Sequence, residues 1–493
     1  MTIKDLSPQL LWKNFYEITR VPRPSKHEEK IAKYLYDWGV SHGFETIIDN
    51  EPIGNVIIRK PATPGCENLK GVILQGHMDM VAQKNADTVH DFENDPIETY
   101  IDGDWVRAKG TTLGADDGLG VAMALAILES DDIKHGPLEV LITFDEETGL
   151  TGAQQLKPGL LNGEILINLD SEDEGEICVG CAGGLDATAS DTYTPAKPDG
   201  DWECWSLAIT GLKGGHSGSD IHLCRANANK VIARILYKLL RDTGVKLLDL
   251  EGGTLRNAIP REAFATVYIP KSDIAKAEAV AAEAFAEIKK EYAVTDPDAK
   301  MSFAPYVCDG TCCEDECLYV PEERALAYIR AILACPDGVE RMSSEIEGLV
   351  ETSNNLSIVK IEKGEFSVKT LMRSSVDTAK AALADKFEAV FALAGVSTTF
   401  TGGYSGWAPN SASPIVNTMK EVYEKLYGQT PKVLAIHAGL ECGILGGTYP
   451  HWDMASYGST LEMPHSPDER ASISSAQRTW DYIKAVLEAI PAK

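Results

Sequence analysis

The segment GVILQGHMD, residues 71–79, joins a short apolar run to a histidine and an aspartate. The run GVIL has the length and composition of a buried β-strand. Two further segments repeat the arrangement: LEVLITFDEE (138–147) ends in an acidic pair, and ILINLD (165–170) ends in an aspartate. Because open α/β sheets bind ligands beyond the carboxyl ends of their strands, these segments predict polar side chains gathered at one sheet edge.

Helix-like periodicity alternates with these strands. The pattern predicts helices over about 26–41 and 119–128, and a further strand over 55–59. Alternation of strands and helices is typical of α/β folds. Residues 1–185 are therefore predicted to form the first part of an α/β domain.

The pattern changes after Gly183 and Gly184. Residues 186–200 are polar and contain two prolines, so we interpret them as a linker. The order that follows, β-α-β-β-α, predicts an α+β insertion over 186–402. Its predicted elements are a strand at 206–212, a helix at 227–241, strands near 246–250 and 263–269 and a helix at 271–292. The insertion is predicted to continue through residues 359–371 and to end with a helix at 377–393.

The last segment returns to α/β order. Residues 402–414 are rich in turn-forming residues and predict a second linker, so that 403–493 form the second part of the α/β domain. A helix at 415–426, a strand at 432–437 and a final helix from about Ser474 are expected there. Ser474 and Gln477 have the spacing of a capping box for that helix.

Composition excludes several classes of function. The 493 residues carry 74 acidic and 46 basic side chains, for a net charge of −28, and such a surface repels nucleic acids and anionic membranes. No stretch reaches the ~18 consecutive apolar residues of a transmembrane helix. The first 20 residues lack the apolar run of a signal peptide, so a cytoplasmic location is expected.

The eleven cysteines suggest reduced thiols in that compartment. Cys178 and Cys181 have the spacing of a metal or redox pair, but no second pair follows at zinc-finger spacing. A second group consists of Cys308, Cys312, Cys313 and Cys317, and the spacing of these residues matches no familiar metal-binding pattern. A cysteine-based redox protein is the hypothesis that the first pair would support, yet no activating base lies beside it in sequence.

Five short segments carry candidate chemistry. They are GHMD (76–79), GADDG (114–118), DEETG (145–149), NLD (168–170) and PHSPDE (464–469). Taken singly, each histidine or carboxylate is more typical of a loop, a turn or a helix cap. Their occurrence at three strand ends favours a shared site, where a pair of divalent cations would balance the carboxylates. Imidazole with carboxylate suits zinc, with manganese or cobalt as alternatives.

These segments resemble the motifs of the di-zinc metallopeptidases of the M20 clan, and among them the aminoacyl-histidine dipeptidases. Further similar segments occur in the order expected for that family: ITRVPRPSKHEE (18–29), GTTLGADDGLG (110–120), GLKGGHSG (211–218), RNAIPRE (256–262), LMRSS (371–375) and HAGLECG (437–443). The resemblance implies an α/β catalytic domain with a mixed sheet, interrupted by an α+β lid and dimerisation domain, in a homodimer.

The resemblance also implies a set of metal ligands. His77, Asp116 and Asp170 would hold one metal ion. Asp116, Glu147 and His465 would hold the other, so that Asp116 bridges the two ions.

Two further residues of these segments have implied roles in the reaction. Asp79 would orient and polarise the His77 imidazole. Glu146 would be the general base for the water that the two ions activate. Neighbouring residues beyond a strand often point in different directions, so Glu146 and Glu147 can divide the roles of base and ligand.

The predicted insertion carries the implied substrate contacts. His216 resembles the lid histidine that stabilises the oxyanion, often across a dimer interface. Asn257 resembles a second substrate contact, and Arg373 would bind the free carboxylate of the substrate through paired hydrogen bonds. His437 and Gly439 would form further pocket wall.

The function implied is hydrolysis of small Xaa-His dipeptides such as carnosine. Alternatives within hydrolases are a broader di- or tripeptidase and an N-acyl amino-acid deacylase of the same clan. A catalytically inactive member that serves as a binding protein is a different hypothesis, against which the intact set of ligand and base residues argues.

Overall fold

The computed structural model of the protein describes residues 2–50, 53–306, 318–410 and 412–493. The cysteines at 308, 312, 313 and 317 lie outside the described residues. Two compact units are present: the first comprises Met1–Gly180, Trp407–Ala435 and Leu440–Lys493, and the second Cys181–Gly406 and Ile436–Gly439. The domain limits proposed from the sequence, 185/186 and 402/403, stay a prediction.

The helices and strands of the described residues are numbered here in chain order. The α-helices are α1 (Gln9–Thr19), α2 (Glu29–Ser41), α3 (Ala115–Glu129), α4 (Glu146–Gly149), α5 (Thr151–Gln155), α6 (Ala228–Asp242), α7 (Ile274–Glu291), α8 (Glu322–Ala334), α9 (Asp377–Leu393), α10 (Pro414–Tyr427), α11 (Glu441–Thr448) and α12 (Ile473–Glu488). Short 3-10 helices cover Ile3–Asp5, Ile221–Leu223 and Lys271–Asp273. The strands are β1 (Glu45–Ile48), β2 (Val56–Lys60), β3 (Val72–His77), β4 (Thr99–Asp102), β5 (Trp105–Ala108), β6 (Leu138–Thr143), β7 (Ile165–Asn168), β8 (Glu176–Cys181), β9 (Gly183–Thr192), β10 (Trp202–Thr210), β11 (Gly215–His216), β12 (Lys246–Gly252), β13 (Ala258–Ile259), β14 (Ala263–Pro270), β15 (Lys300–Pro305), β16 (Gly338–Met342), β17 (Val350–Glu362), β18 (Glu365–Ser374), β19 (Ser397–Tyr404), β20 (Lys432–Ile436), β21 (Asp453–Ser456), β22 (Leu461–Glu462) and β23 (Arg470–Ser472).

The first unit contains an eight-stranded mixed sheet in the order β1-β2-β6-β3-β7-β21-β8-β20. Strands β6, β3, β7 and β21 run parallel to one another, and β1 and β2 pair antiparallel at one side. Every residue of β3, β6 and β7 is buried, as expected for parallel strands covered on both faces. This confirms the predicted α/β architecture with a mixed sheet.

The second unit contains a nine-stranded antiparallel sheet. Eight of its strands follow the order β15-β10-β14-β12-β17-β18-β9-β19, and β16 pairs with β17 beside them. One apolar core joins this sheet to helices α6 to α9, and it includes Leu207, Ile235, Val267 and Phe387. Antiparallel strands with separate helices make this unit α+β, as predicted.

Strand β9 corrects the sequence analysis, which assigned residues 186–200 to a linker. Residues 186–192 lie in β9, which pairs with β18 on one side and β19 on the other. Its buried positions are occupied by Ala187 and Ala189, between polar neighbours. Alanines give little apolar signal, so the period-two alternation of a strand was not recognised.

The start of α12 also differs from the prediction. Ser472 is the N-cap residue, because its Oγ accepts the N–H of Ser475 at 3.2 Å. Ser474 lies inside the first turn, where its hydroxyl donates to Asp104 at 2.6 Å. The predicted capping box of Ser474 and Gln477 is therefore wrong, since a better acceptor precedes it by two residues.

Among the helices described above, none is both long enough and apolar enough to cross a bilayer.

A buried charge in β9 tests its assignment as a central strand. Ala189 is fully buried opposite Val368 and Thr398, whereas its neighbour Ser190 is exposed. We expect Ala189→Asp to lower the free energy of unfolding by about 3–5 kcal/mol, the cost of an uncompensated buried charge. Ser190→Asp is the matched control, with an expected change within about 0.5 kcal/mol.

Denaturant unfolding followed by circular dichroism measures both values. If both substitutions changed the free energy of unfolding by equal, small amounts, the assignment of these residues to a buried strand would be contradicted and the linker interpretation would be favoured.

Candidate metal centre

The parallel strands bring the predicted residues to one edge of the first unit's sheet. His77 is the last residue of β3, and Asp170 lies two residues beyond the end of β7. Glu146 and Glu147 begin α4, shortly after β6 ends. Because β6, β3 and β7 are adjacent and parallel, these side chains project from the same edge, as the strand pattern predicts.

The first group of possible ligands consists of His77, Asp116 and Asp170. His77 Nε2 lies 3.1 Å from Asp116 Oδ1 and 3.5 Å from Asp170 Oδ1. One ligand atom from each residue falls within 4.8 Å of the others, close enough to share a metal ion. The His77 side chain is buried, so its ring has a single fixed setting toward the two carboxylates.

The second group consists of Asp116, Glu147 and His465. His465 Nε2 lies 3.0 Å from Asp116 Oδ2 and 3.0 Å from Glu147 Oε2. Hydrogen bonds to these two carboxylates raise the pKa of His465 to about 11. Asp116 therefore faces one histidine with each of its oxygens.

Asp79 connects the imidazole of His77 with the acidic pair. Asp79 Oδ1 lies 3.4 Å from His77 Nδ1, so the other ring nitrogen faces the first group. The backbone N–H groups of Glu146 and Glu147 donate to Asp79 at 3.0 and 3.3 Å, and Ser25 Oγ donates at 2.8 Å. One buried carboxylate thus orients the ring and holds the start of α4.

The concentration of carboxylates shifts several ionisation equilibria. Burial raises the pKa of Asp170 and of Glu146 well above their ordinary values. Burial lowers the pKa of His77, but the carboxylates of Asp170, Asp116 and Asp79 outweigh it and raise that pKa well above its usual range. Positive charge is therefore strongly favoured at this edge of the sheet.

Divalent cations fit the arrangement. Asp116 presents separate oxygens to the two histidines, so one carboxylate can serve two ions. Glu147 Oε1 is buried without a hydrogen-bond partner among the described residues and is available as a ligand atom. Imidazole nitrogen with carboxylate oxygen is a donor set suited to zinc, with manganese and cobalt as competitors.

Glu469 holds the loop that carries Asp116. Its carboxylate oxygens accept four backbone N–H groups of residues 113–116, at distances from 2.7 to 3.4 Å. Glu469 is only 2% exposed, so these charge-assisted hydrogen bonds are shielded from water. Glu469 belongs to the candidate segment 464–469, but no role was predicted for it from the sequence. Its position four residues after His465 was the available signal.

Arg23 supports the same loop from the N-terminal segment. Its buried guanidinium donates to the carbonyls of Met78 and Asp79 at 3.0 Å each, and to the carbonyl of Gly114. Gly114 adopts φ +69°, and a Cβ there would lie 2.6 Å from Arg23 Nη2. Glycine is required at this position because of both the backbone conformation and the close approach.

His216 and Asn257 lie side by side in the second unit. The short antiparallel pair β11–β13 sets His216 opposite Ala258, and the Asn257 carbonyl accepts the N–H of Ser217 at 2.8 Å. His216 Nδ1 accepts backbone N–H groups from Gly218 and from residue 219, at 3.2 and 3.1 Å. Because Nδ1 is an acceptor, the ring proton must reside on Nε2, which is left as the hydrogen-bond donor.

The electrostatic environment of His216 favours the same neutral form. Burial lowers the pKa of His216, and the positive charge of Arg373 lowers it further. In this neutral form the Nε2–H group can still donate a hydrogen bond to a developing negative charge.

Arg373 is buried in the second unit without a carboxylate in ion-pair contact among the residues that the structure describes. Its Nε lies 3.4 Å from Ser217 Oγ, and its Nη1 lies 3.5 Å from the Tyr404 hydroxyl. Both contacts are long for hydrogen bonds. The guanidinium therefore keeps donors for an external anion.

Gly439 and His437 occupy the same neighbourhood of the second unit. A Cβ at Gly439 would lie 2.9 Å from the Tyr404 hydroxyl, so glycine leaves room for that ring. His437 Nε2 lies 2.7 Å from Ser353 Oγ, and burial lowers the pKa of His437 to about 3. Sequence reasoning missed Tyr404, which lies in the segment interpreted as turn-rich.

The predicted residues thus fall into two sets. Those in the first unit come together as described: His77, Asp79, Asp116, Glu146, Glu147, Asp170 and His465. Those in the second unit are His216, Asn257, Arg373, His437 and Gly439.

Cys178 and Cys181 lie in β8, and both are buried. The groups of described residues that could hold a metal ion contain no cysteine. The geometry thus gives no support to a metal site at this pair.

Comparison with known proteins agrees with this description. A sequence model of the family described as peptidase family M20/M25/M40 matches residues 73–489. The chain is 43% identical to the cytosol non-specific dipeptidase of Escherichia coli (strain K12), over 100% of this chain and 99% of that protein.

Solved structures extend the comparison to the fold. The crystal structure of aminoacylhistidine dipeptidase from Vibrio alginolyticus superposes with a TM-score of 0.93 at 46% identity, covering 100% of this chain and 99% of that one. Aminopeptidase PepT from Bacillus cereus ATCC 10987 superposes with a TM-score of 0.56 at 18% identity, covering 98% and 99%. The second similarity concerns the fold alone.

Removal of the Glu469 carboxylate tests how the Asp116 loop is held. Glu469→Ala leaves buried N–H groups without acceptors, so we expect a loss of about 1–3 kcal/mol in the free energy of unfolding. Zinc affinity, measured by competition with a chelator, should fall by about 10–100-fold. Glu462→Ala is the control, because Glu462 forms a partly exposed ion pair with Arg470 nearby in the sequence. Similar zinc affinities in the two variants would show that Glu469 does not position Asp116.

Proposed function

The chain belongs to peptidase family M20/M25/M40, and from this premise we propose that it is a metal-dependent dipeptidase that hydrolyses Xaa-His dipeptides such as carnosine. The observation that carries the proposal is the convergence of two histidines and three carboxylates into two groups that share Asp116. A peptidase needs such a centre to polarise an unreactive amide.

The proposed ligands divide between two ions. His77, Asp116 and Asp170 would hold one, and Asp116, Glu147 and His465 would hold the other. When bound, the ions supply Lewis-acid stabilisation of the scissile carbonyl and lower the pKa of water. We propose zinc, with manganese and cobalt as alternatives.

Glu146 is the proposed general base. It takes the proton of the attacking water and gives it to the nitrogen of the leaving amine. Two observations support this role: its carboxylate lies within 4.8 Å of ligand atoms of His77 and Glu147, and burial raises its pKa well above that of a free glutamate. A raised pKa suits a group that must both accept and return a proton near neutral pH.

The second unit supplies the proposed substrate contacts. His216 Nε2–H donates to the oxyanion of the tetrahedral intermediate, and its tautomer supports this role. Arg373 binds the terminal carboxylate of the dipeptide; its buried guanidinium, which has no carboxylate in ion-pair contact among the described residues, supports this role. Asn257, His437 and Gly439 are proposed to line the substrate pocket.

A broader dipeptidase is the second candidate. The name of the Escherichia coli relative, cytosol non-specific dipeptidase, favours it over strict Xaa-His specificity and also supports a cytoplasmic location. The name of the Vibrio alginolyticus structure favours aminoacyl-histidine substrates. The homodimer expected from the sequence stays a prediction.

A substrate panel with controlled metal content tests the function. We expect the purified protein to hydrolyse carnosine and Xaa-His dipeptides, to lose activity after chelation, and to regain it with zinc, manganese or cobalt. Liberated amino acids are quantified by chromatography. Equal rates for dipeptides without histidine would favour the broader dipeptidase, and hydrolysis of N-acyl amino acids alone would favour the deacylase.

The role of Glu146 is tested by an isosteric substitution. Glu146→Gln removes the base but no proposed ligand, so we expect metal content to stay at the wild-type level while kcat falls by about 10²–10⁴-fold. Metal content is measured by atomic emission on the same sample. Near-wild-type turnover in this variant would rule out Glu146 as the base.

A further inference from the structure

A chain of buried hydrogen bonds crosses four neighbouring parallel strands just before the ends that carry the metal centre. Thr143, Gln75, Asn168 and Ser456 contribute one side chain each from β6, β3, β7 and β21, which are adjacent in that order. All four side chains are buried. Polar side chains are costly there, so their presence on four consecutive strands needs a reason.

Glu441, the first residue of α11, receives this chain. Its Oε2 accepts the Gln75 Nε2–H and the Thr143 Oγ1–H, both at 2.6 Å. Gln75 Oε1 in turn accepts the Asn168 Nδ2–H at 2.7 Å, and Asn168 Oδ1 accepts the hydroxyl of Ser456. The hydrogens therefore all point toward Glu441 from every strand.

The direction of the chain depends on the carboxylate. Each hydroxyl has a single hydrogen and each amide has a fixed donor side and acceptor side. In its ionised form, Glu441 only accepts hydrogen bonds, and at the end of the chain it selects one setting for both amides. The alternative acceptor for the Thr143 hydroxyl, the carbonyl of Gly76, lies farther away at 3.2 Å.

Two side chains of this hydrogen-bonded chain belong to residues close in sequence to the proposed metal ligands. Gln75 precedes His77 by two residues, and Asn168 precedes Asp170 by two. Asn168 Oδ1 also accepts the backbone N–H of Asp170, at 3.3 Å. The chain thus joins the strand ends that present ligands of one proposed ion.

We propose that Glu441 is a positioning residue of the metal centre, which acts through Gln75 and Thr143 on the strand ends that carry the ligands. The proposal rests on the function proposed above for that centre. Glu441 itself contacts none of the proposed ligands and is 1% exposed.

The chemistry of the site favours positioning over simple packing. Burial raises the pKa of Glu441 to about 7, which reflects the cost of placing this carboxyl away from water. Its second oxygen, Oε1, has no hydrogen-bond partner among the described side chains and backbone. An apolar residue of similar volume would avoid both costs but could not orient the amides.

Glu139 offers a matched control on the same sheet. It is also a buried glutamate, in β6 like Thr143, and accepts backbone N–H groups of Asn162 and Gly163 at 2.7 and 2.8 Å. It lies at the start of β6, whereas the metal-centre residues follow the end of that strand. Loss of its charge should perturb stability without changing the strand ends.

The test compares Glu441→Met with Glu139→Met, in which an apolar side chain of similar volume replaces the carboxylate. We expect Glu441→Met to lower zinc affinity, measured by chelator competition, by about 10–100-fold and kcat by a similar factor, with KM within about twofold of wild type. Glu139→Met should leave zinc affinity and kcat within about twofold of wild type, whatever its effect on unfolding. Wild-type zinc affinity and kcat in Glu441→Met, or equal losses in both variants, would overturn the proposal.

Thr143→Val provides a second, milder variant that removes one donor and preserves shape. It should lower zinc affinity in the wild-type background but have little further effect beside Glu441→Met, since both act through one chain. Fully additive effects would overturn the proposal. A wild-type protein that binds no zinc would instead refute the proposed function, which the chelator competition detects without any substrate.

Discussion

Negative charge packed against one sheet edge is the constraint on which the first unit depends. Asp116, Asp170, Glu146 and Glu147 project there beside the imidazoles of His77 and His465. Carboxylates so close together repel one another, and burial raises the pKa of Asp170 and of Glu146. The site is consequently arranged for added positive charge, and divalent cations satisfy that requirement through the same oxygens.

Three buried carboxylates around this edge have a different purpose. Asp79, Glu469 and Glu441 accept hydrogen bonds from within the protein. The donors to Asp79 and Glu469 include backbone N–H groups, and the donors to Glu441 are side chains. Each fixes a segment that presents other groups: the start of α4, the Asp116 loop and the strand ends. Metal-binding sites commonly depend on such supporting hydrogen bonds, because a ligand that is free to rotate binds weakly.

The agreement between sequence and structure follows the strength of the local signal. Strands β3, β6 and β7 are continuous apolar runs, which is the signature of strands buried on both faces, and they were predictable. Strand β9 buries alanines between polar residues and was not. Tyr404, Glu441 and Glu469 also escaped prediction, because the groups that they contact lie far from them in the sequence.

By itself, the sequence determined the α/β order of the first unit and the strand ends at which its polar residues stand, because period and apolar content are local properties. Only the tertiary structure decided which oxygen of Asp116 faces His465, and that Glu469 accepts the N–H groups of the loop 113–116. It also decided the tautomer of His216 and the direction of the hydrogen bonds that end at Glu441. Hydrogen bonds are short and directional, so they are defined by atoms that folding brings together and not by residues that neighbour each other in the chain.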